Sequence, residues 1–143
     1  MLMGEYQHNI DKKGRVFIPT KLRADIGETF VVSRALDLTP ALFIYPMDEW
    51  KKLTDKIAER PFGKVGKLQR HFLANASEMT CDAQGRICIP LNQRAYAKLD
   101  ETNETTIIGA NNHIEIWNSE QWLAETESIS QDEIMELLEE CEI

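Results

Sequence analysis

Cysteine is scarce in this chain. The 143 residues hold three, Cys81, Cys88 and Cys141, an odd number with no Cys-x-x-Cys spacing. That pattern argues against a disulfide framework and against a zinc site, so the thiols are expected to be reduced, partly buried small residues. Long apolar runs are also lacking, because no stretch approaches the roughly 20 residues of a membrane helix. The opening MLMGEYQHNIDKKGR has no apolar segment behind a basic start, so the chain is read as cytosolic, with no membrane partner. His8, His71 and His113 lie far apart without metal-ligand spacing, and no metal is expected. No nucleophile stands with a base, and no pair of carboxylates has separate environments, so the sequence points to no enzyme, no catalytic residue and no cofactor.

Basic charge is missing from one end. From Asn118 to Ile143 there are nine acidic residues and no Lys or Arg, within a formal net charge of −8. The rest of the chain keeps 16 basic residues against 15 acidic ones. The acidity therefore belongs to the tail, and a near-neutral body can still carry basic patches that bind nucleic acid. With 43% hydrophobic and 28% charged residues the chain has a globular balance.

What the sequence has in plenty is self-similarity. Asp11-Lys12-Lys13-Gly14-Arg15-Val16-Phe17-Ile18-Pro19 recurs 71 positions later as Asp82-Ala83-Gln84-Gly85-Arg86-Ile87-Cys88-Ile89-Pro90, and each copy is followed by a matching Arg-Ala, Arg23-Ala24 and Arg94-Ala95. Further on, Phe43 to Trp50 parallels Glu115 to Trp122, each with an aromatic, then an acid, then Trp. Each half reads as strand, tight turn, strand, short helix, two strands and a closing helix. The expected elements are 5–10, 15–19, 20–25, 29–34, 41–46 and 47–58, then 74–81, 86–90, 91–97, 104–110, 113–117 and 118–127. The organisation expected is thus a first repeat over 1–60, a helical connector over 61–73, a second repeat over 74–127 and an acidic helix over 128–143.

The connector starts after Pro61 and Gly63, and Val65, Leu68 and Phe72 take the spacing of one buried helical face. It is basic, with seven Lys or Arg from Lys51 to Arg70 against Asp55 and Glu59. In the tail, Ser130 and Glu133 have the spacing of a capping box, and Ile129 and Ile134 that of a hydrophobic staple. Ile134, Leu137, Leu138 and Cys141 then form an apolar stripe, expected to dock on the chain's own body or on a neighbouring subunit. Trp50, Trp117 and Trp122 are expected to pack rather than stack on bases.

The repeated Asp-x-x-Gly-Arg suits a hairpin turn. An Asp carboxylate accepts turn N–H groups, and Gly supplies a positive φ. Asp11, Gly14, Asp82 and Gly85 would shape the turns, with Val16 and Ile18, like Ile87 and Ile89, facing inward by period-2 alternation. Pro19 and Pro90 would end the ladder and lead into the short helices. Spacing alone leaves two roles open for Arg15 and Arg86. They could reach phosphates or guanine edges with help from Lys12 and Lys13, or they could simply close the hairpin as ion pairs with the aspartates.

The opening MLMGEYQHNIDKKGRVFIPTKLR, the segment HFLANASEM and the second motif DAQGRICIP together resemble the MraZ family, over nearly the whole chain from Met1 to about Trp122. That resemblance implies an α+β fold, in which two AbrB-like swapped-hairpin units form a β-barrel with flanking helices. It also implies a cytoplasmic, nucleoid-associated regulator of the division and cell-wall gene cluster. Such a protein would form a homo-oligomeric ring and bind repeated promoter sites in double-stranded DNA. The family's D-x-x-x-R positions map onto Asp11 with Arg15 and Asp82 with Arg86. The alternative is an antitoxin-like or other protein-interaction module that uses the acidic C-terminal helix.

Overall fold

The computed structural model describes residues 1–143. It is a mixed α+β structure in which eight strands and six helices alternate along the chain. The first half runs β1 (Leu2–Asn9), β2 (Arg15–Phe17), α1 (Thr20–Ile26), β3 (Thr29–Arg34), β4 (Ala41–Pro46), α2 (Met47–Ala58) and α3 (Phe62–Phe72). The second runs β5 (Ser77–Thr80), β6 (Arg86–Cys88), α4 (Leu91–Tyr96), β7 (Glu104–Asn111), β8 (Ile114–Asn118), α5 (Ser119–Glu127) and α6 (Gln131–Glu140).

Six strands make one antiparallel sheet in the order β1-β7-β8-β4-β3-β5, and β2 with β6 makes a second, two-stranded sheet. The first strand of each half thus runs beside the third strand of the other, Leu2 opposite Asn111 through Asn9 opposite Glu104, and Thr29 opposite Thr80 through Val32 opposite Ser77. β4 and β8 lie side by side and antiparallel at the centre. Helices α2 and α5 therefore leave the sheet from opposite ends of that pair.

Alternation in the strands sorts side chains onto two faces. Val16 lies at the centre of the first small strand and Ile18 just past its end, Ile87 and Ile89 take the same places in the second, and all four join Leu42, Ile44, Ile107, Ile114 and Ile116 in a core cluster of 17 buried residues. Each such aliphatic side chain contributes roughly 1.5–3 kcal/mol on burial, so this seam between the two sheets adds to the strand pairing that holds the halves together. The intervening residues of β4, Ala41, Phe43 and Tyr45, point the other way and join Ala35 and Trp117, with Trp50, Leu53 and Trp122 from α2 and α5 packed over them.

Proline and two polar caps set the helix starts. Pro19, Pro46, Pro61 and Pro90 each stand immediately before a helix, where the fixed φ and missing N–H cost nothing. For α5 the Asn118 side chain accepts from the Glu120 and Gln121 N–H groups, and for α6 Ser130 accepts from Glu133 N–H at 3.1 Å.

Three expectations are corrected. The strands do not close into a barrel: β1 and β5 remain at opposite edges of an open six-stranded sheet, and the small β2–β6 sheet covers the core by side-chain packing instead of completing the ladder. In α3, Phe72 is buried but Leu68 is 40% exposed, because only one end of that helix reaches the body, where Phe72 meets the Trp50 ring. Cys88 and Cys141 are exposed; only Cys81 is half-buried, and burial raises its thiol pKa. Of the two docking sites expected for the apolar stripe of α6, the chain's own body is not the one used, since no residue of that helix is buried.

Candidate nucleic-acid interface

Both Asp-x-x-Gly-Arg segments fold into the same turn. In the first, Gly14 N–H donates to the Asp11 carbonyl at 3.0 Å and Asp11 N–H to the Arg15 carbonyl at 3.1 Å, while Gly14 has φ +83°. In the second, Gly85 N–H donates to the Asp82 carbonyl at 3.0 Å and Asp82 N–H to the Arg86 carbonyl at 2.8 Å, with φ +81° at Gly85. This is a three-residue hairpin loop with a left-handed glycine, a conformation that strains any residue with a Cβ.

The aspartates hold these turns from within. Asp11 Oδ1 accepts the N–H groups of Lys13 (3.0 Å) and Arg15 (2.9 Å), and Asp82 Oδ1 those of Gln84 and Arg86 (both 2.9 Å). The other carboxylate oxygen accepts from the arginine Nε, at 2.6 Å for Arg15 and 3.1 Å for Arg86. Backbone donation, first from Arg15 and from Arg86 respectively, keeps both carboxyls below their ordinary pKa, outweighing the partial burial that pushes the other way. Both roles weighed for the arginines therefore coexist geometrically. Each guanidinium gives its Nε to the aspartate, and its terminal amino groups make no hydrogen bond within the chain. A planar fork held this way can present parallel N–H donors to an anion or a base edge.

The small sheet holds the two turns at its opposite ends. β2 and β6 are antiparallel, with Arg15 opposite Cys88 and Phe17 opposite Arg86. At its ends Ile89 N–H donates to the Gly14 carbonyl at 2.8 Å, and Ile18 N–H to the Gly85 carbonyl at 2.9 Å. The Cys88 thiol donates to the Lys13 carbonyl at 3.2 Å. The loops differ in charge as their sequences dictate: Lys12 and Lys13 are exposed in the first, and neutral Ala83 and Gln84 occupy those places in the second.

Two further arginines belong to this arrangement, and motif reading assigned them no role. Arg94 lies on Gly14, so that a Cβ added there would fall 2.6 Å from Arg94 Nε and 2.7 Å from the Ile89 carbonyl oxygen. Arg94 Nη1 also donates to the Lys12 carbonyl at 3.3 Å. Arg23 covers Gly85 in the same way, sits 5.0 Å from the Phe17 ring and donates to Thr20 Oγ1 at 2.9 Å. The signal available in the sequence was recurrence, because Arg23 and Arg94 follow Arg15 and Arg86 at the same interval. The largest surface cavity is elsewhere, between α2 and the β7–β8 turn, lined by Phe43, Tyr45, Leu53 and His113 among others and by no residue of either loop.

Comparison with known proteins bears on the whole chain. Residues 1–67 and 72–140 match the family model described as MraZ protein, putative antitoxin-like. The chain is 46% identical to the transcriptional regulator MraZ of Natranaerobius thermophilus over 124 residues, 85% of this chain and 84% of that protein. It is 47% identical to the transcriptional regulator MraZ of Halothermothrix orenii over the same length and shares.

Proposed function

The chain belongs to the MraZ family, and we propose that it is a sequence-specific regulator that binds double-stranded DNA through its two Asp-x-x-Gly-Arg turns. The observation that carries this reading is the pair of equivalent turns held at the two ends of one small sheet, each with an arginine anchored at Nε and its outer amino groups free. Arg15 and Arg86 would meet phosphates or guanine edges, and Lys12 and Lys13 would add phosphate contacts from the first turn only. Asp11, Gly14, Asp82 and Gly85 shape the loops. The interlocked strand order fits two AbrB-like swapped-hairpin units of about 1–60 and 74–127.

One such pair of loops neutralises few phosphates, and each contributes only about 0.9 to the log–log salt slope. Useful affinity then calls for several copies acting together. A ring of subunits on repeated promoter sites supplies this through effective concentration, in a cytoplasmic, nucleoid-associated protein acting on the division and cell-wall gene cluster. The test is binding to DNA from upstream of the protein's own gene across a salt series. Arg15→Ala combined with Arg86→Ala should lower affinity at least 10-fold and flatten the salt dependence with the fold intact; undiminished binding by that double variant refutes the assignment.

A second reading has one observation in its favour, the uncovered acidic helix α6, which suits a protein partner. Under it, removal of residues beyond 128 abolishes complex formation and both arginines are dispensable.

A further inference from the structure

Ion pairing leaves each Asp-x-x-Gly-Arg motif without net charge of its own. Asp11 lies on Arg15 at 2.6 Å and Asp82 on Arg86 at 3.1 Å, separations well inside a screening length of about 8 Å. A phosphate further out therefore meets a dipole more than a cation, and the field that draws it in has to come from neighbouring side chains. At the first turn Lys12 and Lys13, both exposed, supply that field. At the second, Ala83 and Gln84 take their places, so the five residues of that motif carry no uncompensated charge.

The cation that touches the second turn comes from the other half of the chain. Arg23, on α1, lies over Gly85, with Nη1 the nearest of its atoms to the position a Cβ would take. None of the chain's ion pairs includes Arg23. Its guanidinium makes one hydrogen bond, from Nη2 to Thr20 Oγ1 at 2.9 Å, and its only buried nitrogen without a partner is Nε. Nη1 is thus unpaired and open to solvent beside the turn.

Arg23 is also held differently from its counterpart Arg94. Its guanidinium sits 5.0 Å from the Phe17 ring, and that ring packs in turn on His8 at 5.0 Å. An arginine laid on a ring and tethered by one amino group keeps a fixed plane, so it loses less freedom on meeting an anion. In the second half Cys88 and Leu91 replace Phe17 and Thr20. Arg94 has neither ring nor hydroxyl there, and gives Nη1 to the Lys12 carbonyl at 3.3 Å instead. The turn without lysines is therefore the one covered by the fixed, carboxylate-free arginine.

We propose that Arg23 is the phosphate contact of the second turn, α1 of the first half supplying the positive charge that Asp82-Ala83-Gln84-Gly85-Arg86 lacks. Nη1 and the remaining N–H of Nη2 meet a backbone phosphate, while Arg86 addresses a neighbouring phosphate or a base edge. The proposal rests on the DNA-binding reading above and adds to it a residue outside the repeated motif.

Titration of the full-length protein with DNA from upstream of its own gene, over a salt series, tests it. Arg23→Met should lower the log–log salt slope by about 0.9 for each subunit engaged and weaken binding to promoter and unrelated DNA alike, as loss of a phosphate contact does. Arg23→Lys keeps the charge but loses the planar guanidinium, and should retain the wild-type slope. So should Arg23→Met combined with Ala83→Lys, which puts a cation back at the same turn by another route. A residue that only braced the loop would be rescued by neither. A wild-type slope in Arg23→Met, or a slope as low in both lysine-bearing variants as in Arg23→Met, overturns the proposal. Arg15→Ala/Arg86→Ala separates the two levels: its undiminished binding removes the DNA-binding reading and Arg23 with it, whereas an unchanged slope in Arg23→Met beside a weakened double variant removes Arg23 alone.

Discussion

Arg94 of the second half lies across Gly14 of the first, with its Nη1 donating to the Lys12 carbonyl at 3.3 Å. Arg23 covers Gly85 in the reciprocal sense. Each turn is therefore braced by the half of the chain to which it does not belong. The bracing is unequal, since Arg94 bonds to the loop it covers whereas Arg23 spends an amino group on Thr20 in its own half.

A crossed response to mutation follows. Arg94→Met should disturb the first loop, seen as amide shift changes at Lys12 to Arg15, and leave Gln84 to Arg86 near their wild-type positions. Arg23→Met should do the reverse. The Nε atoms of both arginines are buried without a partner, so losing the charge relieves one unsatisfied group while removing the brace. Global stability should change by no more than about 1 kcal/mol. If Arg94→Met instead perturbed only the loop of its own half, the bracing relationship would be wrong.

The two turn glycines should be the least replaceable residues of the loops. Gly14→Ala and Gly85→Ala each place a Cβ on a backbone with φ above +80° and into the opposing arginine. The left-handed conformation alone costs roughly 1–2 kcal/mol, and displacement of the arginine adds to it. Melting temperature should drop by on the order of 5 °C for either variant. Gly63→Ala makes a fair control, because a Cβ there meets nothing within 4 Å.

Much of this was legible in the sequence, and the reasons are local. Alternation in RVFIP and RICIP places Val16, Ile18, Ile87 and Ile89 inside, and the same residues are buried at 2% exposure or less. The proline-led helices and the Asp-x-x-Gly turns likewise follow from chemistry within a few residues. Closure of the sheet was not legible, because whether β1 meets β5 depends on non-local twist and on how the small sheet covers the core. Nor was the bracing of Gly14 by Arg94, a contact between residues far apart in the chain; recurrence marked the arginine without indicating what it touches. Leu68 shows the limit of periodicity, which finds a face of α3 but not how much of that face the body reaches.

The unequal charge of the loops should appear in salt dependence. Lys12 and Lys13 have exposed ammonium groups with no carboxylate partner, so replacing both by Ala should reduce the log–log salt slope by up to about 1.8, at roughly 0.9 per phosphate contact. Ala83→Lys with Gln84→Lys should steepen it by a similar amount, since those exposed positions are the counterparts in the second turn. Affinity titrations at several salt concentrations measure both. Equal slopes for all three proteins would mean that the loop tips do not approach phosphate.

Acid should release the arginines. Asp11 and Asp82 have carboxyl pKa values lowered from 3.8, chiefly because the Arg15 and Arg86 backbone N–H groups donate to the ionised form. A group whose pKa is depressed on folding contributes stability that is fully present above its unfolded value and is lost as pH falls through its folded value. The turns should therefore keep their form from neutral pH down to about 4, and lose the aspartate bonds only below 3.8. The Nε–H resonances of Arg15 and Arg86, followed by NMR through an acid titration, report this directly. Their midpoints should lie below 3.8, and Asp11→Asn should abolish the transition at Arg15 while leaving that at Arg86. Midpoints at or above the ordinary value would show that the carboxylates do not hold the arginines in solution, and the anchored guanidinium would then lose its physical basis.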